Sequence, residues 1–141
     1  MRRLARSAPP PDVGLAVLRL VTGTIFAAHG AQKLFVFGIA GATQAFAEMG
    51  VPMPQITAPL ITGLELIGGI ALILGLLTRV FGLALAADLL GAILIVKLGS
   101  GLFAPAGFEL ELALLGGALA LALAGAGDFS VDRVVTHRRS R

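Results

Sequence analysis

Arg19, His29 and Lys33 fall within VGLAVLRLVTGTIFAAHGAQKLF (residues 13–35), a stretch long and apolar enough to cross a bilayer. Each charge near a helix centre costs roughly 2.5 to 3.5 kcal/mol on insertion scales, so such residues face a protein interior or a wet cavity and mark function. At about 100° per residue, His29 lies about 80° from Arg19 and Lys33 about 40° from it on the same side, so one arc of the helix carries all three. Acids that could receive them recur downstream as Glu65, Asp88 and Glu109.

With span centres near Thr24, Ile67, Asp88 and Gly116 and a rise of about 1.5 Å per residue, Asp88 is expected at mid-membrane and Glu65 roughly 3 Å outward. His29 and Glu111 are expected roughly 8 Å outward, with Glu109 beyond them and Lys33 and Lys97 near the outer edge. Arg19 alone falls in the inner half. The chemistry this set could perform is that of an outward-facing polar cavity. His29, Glu65 and Glu109 would act as a base or proton relay, and Lys33 and Lys97 would attract an anionic or carbonyl-bearing ligand. The same charges could instead be paired and serve only helix register. That reading is favoured for Arg19 with Asp88 or Glu65, and it is balanced against the functional one for His29, Lys33 and Glu65. Lys97 has a second reading as a side chain snorkelling to the interface. Glu111, about 200° round from Glu109, would line the mouth, contact another subunit or stand outside the scheme.

The elements that must position these groups follow from composition. Apolar residues make up 57% and charged residues 13%, with a mean hydropathy of +0.94, the balance of an integral membrane protein. Its 141 residues fit one domain of about four spans with no separate soluble catalytic domain. Cysteine is absent, which excludes thiolate nucleophiles, CxxC chemistry and iron–sulfur ligation by this chain. His29 and His137 are the two histidines, without HxxH or HExxH spacing, so neither a metal nor a haem site is expected. The arginines at both ends flank membrane segments, which argues for topology rather than nucleic-acid binding.

The expected architecture is all-α, a polytopic four-helix membrane bundle with spans at about 13–35, 56–77, 80–96 and 108–124. A flexible basic tail (1–12) precedes the membrane domain (13–132) and a basic tail (133–141) follows it. Asp12 is expected to cap the first helix. The segment 36–54 cannot span; it is read as a connecting loop, with a short surface helix at 44–49 as the alternative, whose Phe46 and Met49 would cover the bundle mouth. The short link at 77–79 makes spans two and three antiparallel neighbours, and 98–107 is read as a turn. Close packing is expected at residues spaced by four: Ala71 and Gly75, Gly82 and Ala86, Ala87 and Gly91, and the series Gly116, Ala120, Ala124. Arg2, Arg3, Arg6, Arg79 and the four tail arginines share one side, so both termini are expected in the cytoplasm.

Taken in order, Arg19, HGAQKLF (29–35), GVP (50–52), GLELIGGIALILGLLTR (63–79), GFE (107–109) and GAGDFSVD (125–132) resemble the DoxX family of small four-helix bacterial membrane proteins. The resemblance implies a multi-pass protein of the cytoplasmic membrane and a link to thiosulfate or quinone redox chemistry and oxidative-stress complexes. An oxidoreductase label rests on it alone. Its polar positions map to Arg19, His29, Lys33, Glu65, Arg79 and Glu109, with a closing turn at Gly125, Gly127, Ser130 and Asp132, where Asp128 or Ser130 would cap the turn that follows. Asp88 stands where the family mostly has apolar residues and Lys97 where it often has histidine. The expected function is that of an accessory subunit of a membrane redox system working beside a quinone pool, with the outer polar cavity as its ligand site, quinone and a soluble or membrane redox partner allowed, and homo-oligomerisation allowed. The alternatives are a scaffold whose buried charges specify assembly and, less favoured, a proton-coupled carrier.

Overall fold

The computed structural model describes residues 11–139; the expected N-terminal tail up to residue 10, with Arg2, Arg3 and Arg6, lies outside them, as does Arg141. The described residues are mostly helical, without strands. Helix α1 (Pro11–Ala31) continues through a π-helical run (Gln32–Phe37) to α2 (Gly38–Glu48). Then come α3 (Pro54–Leu74), α4 (Thr78–Gly91), a second π-helical run (Ala92–Lys97), a 3-10 turn (Leu98–Ser100), α5 (Glu109–Ala124) and α6 (Val131–Arg139). Three segments are long and apolar enough to cross a membrane, Asp12–Glu48, Pro54–Leu74 and Thr78–Ser100. At 16 residues α5 is shorter, about 24 Å.

Helices α1, α3, α4 and α5 alternate in direction. The closest pairs are α1 with α3 and α4 with α5, and the core between them is Phe26, Leu72, Leu85, Ala86, Leu89, Ala118 and Leu121. Outward faces remain apolar, with Leu20, Val21, Ile67, Leu83 and Leu94 all exposed, the inverse of a soluble surface and suited to lipid.

Close packing is achieved at some of the residues the four-residue spacing selects, with Ala71 and Ala86 buried, and also at others. A Cβ on Gly69 of α3 would lie 2.6 Å from the Gly23 carbonyl oxygen and against the Ala27 backbone nitrogen of α1. Gly82 does face α5 closely, with Ala118 and Ala122 as neighbours, but Gly91 and Gly116 face open space. Gly75 works instead as a helix terminator, its φ of 69° ending α3 in a left-handed turn.

Two segments differ from the sequence expectation. Residues 38–48 are helical rather than a loop, the chain turning at Gly38 (φ 70°) so that α2 lies against α3. The tail from 133 is helical to Arg139, with Ser130 Oγ accepting the Arg133 N–H at 3.3 Å as its cap. Asp12 does not cap its own helix. It lies in the first turn of α1 and its Oδ1 accepts the Asp128 N–H at 3.0 Å.

The α3–α4 turn is held from a distance. Leu77 sits at φ 48°, a left-handed conformation costly for a leucine, and the Asp132 carboxylate accepts the N–H groups of Leu77 (2.8 Å) and Thr78 (3.0 Å). Asp132→Ala should cost about 1 to 2 kcal/mol, the loss of a helix cap. Hydrogen exchange should then quicken first at the Leu77 and Thr78 amides, and unchanged protection there would contradict the assignment.

Candidate functional site

A cavity of about 520 Å³ opens at the end of the helices opposite to the Asp132 clasp. Most of its wall is apolar, including Phe26, Ile61, Leu64, Ile95 and Leu114, and α2 contributes Phe46, with Met49, Val51 and Pro52 following it. Phe46 and Met49, which the surface-helix alternative set over the bundle mouth, are thus among the lining residues. Six titratable side chains reach the cavity: His29, Lys33, Glu65, Asp88, Lys97 and Glu111.

Lys33 lies in the first π-helical run and donates to Glu65 Oε2, forming an ion pair between α3 and the end of the first helix. Glu65 is only 8% exposed, so this contact is what makes its burial tolerable. Across the cavity Lys97, the last residue of the second π-helical run, pairs with Glu111 of α5 at 2.5 Å. The second oxygen of Glu111 is buried without a hydrogen bond. His29 Nδ1 lies 2.9 Å from the Ile25 carbonyl. A carbonyl only accepts, so Nδ1 carries the proton and, in the neutral ring, Nε2 is an acceptor. Asp88 is half-buried on α4, within electrostatic reach of Glu65 and Lys33.

Two expected site assignments are corrected. Glu109 does not line the cavity; it is exposed, and its Oε1 accepts the Ala104 N–H at 3.0 Å, bracing the preceding loop. Glu111 takes the inward position instead. The 200° separation required one of the two to face away, and the GFE motif pointed to the wrong member. Lys97 is likewise a wall residue with a partner rather than a snorkelling side chain.

Arg19 is the other correction. It forms no pair with Asp88 or Glu65. Its guanidinium donates through Nη1 to the Ala126 carbonyl and through Nη2 to the Phe129 carbonyl at 2.6 Å, and the residue is 4% exposed. A fork of two N–H groups suits two carbonyls diverging from a turn, which a lysine could not span. Arg19 thus belongs with Asp132 and Ser130 in a clasp that ties the chain end to α1, α3 and α4, remote from the cavity. Among the described residues no cluster of His, Asp or Glu has the arrangement of a metal site.

The family model described as DoxX matches residues 14–98. The chain is 37% identical over 124 residues to the Bacillus subtilis (strain 168) protein named "Putative oxidoreductase CatD", covering 88% of each. It is 35% identical over 128 residues to "Inner membrane protein YqjF" of Escherichia coli (strain K12), covering 90% of this chain and 95% of that one. With "Uncharacterized membrane protein Rv3486" of Mycobacterium tuberculosis it shares 32% over 147 residues, 96% of this chain and 88% of the relative. No solved structure matches the chain.

Proposed function

Because the chain belongs to the DoxX family of membrane proteins, we propose that it is an accessory subunit of a quinone-linked redox system, with the α2-covered cavity as its ligand site. The observation that carries this reading is the cavity itself. It has a volume of about 520 Å³, apolar walls and a few convergent polar groups, the form of a small-molecule site. A lipophilic ring would enter from the bilayer between the helices and be oriented by His29 and the acids behind it. The relative named an oxidoreductase supports the redox half of the reading. No cysteine is available to carry electrons, so the electrons would move between the ligand and a partner protein.

In this proposal α5 is a fourth span, short enough that the bilayer must thin locally or its ends be covered by the loop and the closing turn. Both termini and the Arg79 turn then lie in the cytoplasm, by the excess of arginine at that end, in a bacterial cytoplasmic membrane. The cavity would open outward.

A scaffold reading has one specific support: both cavity lysines already face carboxylates, as charges fixing assembly would. Native mass spectrometry of the protein extracted in mild detergent separates the two. The redox reading expects a retained quinone that disappears in His29→Ala, while the abundance of folded protein is unchanged, because among the described residues the ring's hydrogen bond is to its own helix. An empty protein that brings a stable partner, lost with the same substitution, would replace it with the scaffold reading.

A further inference from the structure

Helix α6 is packed the opposite way round from a helix on a soluble surface, which turns its apolar side to the core and its polar side to water. At about 100° per residue, Asp132, Arg133 and Thr136 share one arc of it, and Val131, Val134 and Val135 share another whose centre lies about 160° away. The polar arc is the one turned to the rest of the chain. The Asp132 carboxylate holds the Leu77 and Thr78 amides, and the Asp132 N–H donates to the Gly75 carbonyl at 3.0 Å. All three polar residues line a second cavity, about 600 Å³, opposite Leu15, Thr78 and Arg79. The apolar arc faces outward, with Val131, Val134 and Val135 exposed and Phe129 exposed just before them.

We infer that α6 is an interfacial anchor, whose Val131, Val134 and Val135 face, with Phe129, sinks among the headgroups of anionic phospholipid at the clasp end of the protein. Two observations identify this occupant. The bonds to Gly75, Leu77 and Thr78 hold the first turn of α6 against the α3–α4 link, where Leu76, Leu77 and Val80 are exposed as well. The apolar arc of α6 therefore extends the lipid-facing surface of the helices at its rim. Charge is the second. From Gly125 to the chain end, Arg133, Arg138, Arg139 and Arg141 stand against Asp128 and Asp132, an excess of two positive charges. An apolar stripe too short to span, on a segment otherwise polar and basic, suits a helix lying in the plane of an anionic bilayer surface. Because Asp132 belongs to α6 and also caps the α3–α4 turn, lipid contact at the anchor would set the depth of the bundle. None of this depends on what the cavity at the other end binds.

Spin labelling of the full chain, reconstituted in mixed phosphatidylcholine and phosphatidylglycerol vesicles, tests this. Cysteine is absent, so a nitroxide on Val134→Cys or on Thr136→Cys is unique in the molecule. Collision with oxygen, which concentrates in lipid, is compared with collision with a water-soluble nickel chelate. The oxygen-to-nickel ratio should be several-fold higher at Val134→Cys than at Thr136→Cys, as for a face sunk about 5 to 10 Å into the headgroup boundary. In vesicles of phosphatidylcholine alone the ratio at Val134→Cys should fall roughly twofold or more, as the attraction to anionic lipid is lost. Equal ratios at the two positions in the mixed vesicles, or a lower one at Val134→Cys, would overturn the anchor and leave that face to water or a partner protein. A high ratio at Val134→Cys that ignored lipid composition would overturn the role of anionic lipid. If Val134→Cys does not fold, Val135→Cys reads the same face.

Discussion

Arg19→Met is expected to destabilise the protein by about 3 to 5 kcal/mol, the loss of two hydrogen bonds from a charged donor at about 1.5 to 3 kcal/mol each. The substitution removes both donors at once and orphans the buried carbonyl of Ala126, worth about 1 to 3 kcal/mol without a partner, together with the more exposed carbonyl of Phe129. Gly75 packs directly against the guanidinium, so the loss also leaves a void beneath the end of α3. Arg19→Lys should fall between the two, since a single ammonium keeps the charge but cannot bridge both carbonyls. Reversible unfolding in mixed micelles, followed by far-ultraviolet circular dichroism, measures the difference. If the methionine variant unfolded with the same midpoint as the parent, the clasp would have no energetic role. Ligand binding in whatever fraction remains folded should change little, because the clasp and the cavity lie at opposite ends.

Gly69→Leu should be at least as damaging, about 3 kcal/mol or more, because the obstacle is backbone. The new side chain would meet the Gly23 carbonyl and the Ala27 main chain, neither of which can rotate aside as a neighbouring side chain could. In a membrane the separation of α1 from α3 cannot be offset by a hydrophobic gain, since lipid is as apolar as the helix surface; close van der Waals contact is the attraction itself. Gly116→Leu provides the contrast. It carries the same change in size on α5, but its side faces open space, and a shift within about 0.5 kcal/mol is expected. Equal damage from the two would mean that added bulk alone, and not the α1–α3 approach, sets the effect, since leucine is the better helix former at both positions.

These two residues also show what the sequence could reveal. The all-helical class and the long apolar helices able to cross a membrane were legible because apolar length is a simple function of sequence. Arg19 was assigned an acid because counting charges leaves out main-chain carbonyls, and the carbonyls that hold it come from a turn more than a hundred residues away. Gly69 was passed over because spacing by four is common in a chain with 19 glycines, and which of them meets another backbone depends on how α1 rotates against α3. The segment 38–48 looked like a loop because of its glycines, yet only Gly38 breaks the helix there. Lys97 was hard to place for a further reason. A π-helical run inserts a residue relative to α geometry, which shifts the phase beyond it by about 100° and defeats any face count carried across it.

Those two runs, Gln32–Phe37 and Ala92–Lys97, lie at the cavity end, and each includes one of its lysines. A packed α-helix ordinarily tolerates no change of length, because removing one residue turns everything beyond the gap to the wrong side. A π-helical run already holds one residue more than an α turn needs, so shortening the chain by one at that point leaves an unbroken helix. Descendants of this sequence could therefore lose a single residue at either place and reshape the cavity wall in one mutational event, while the clasp and the α1–α3 seam kept their register. The protein has a fixed end and an end where its length is negotiable, and the cavity lies at the second.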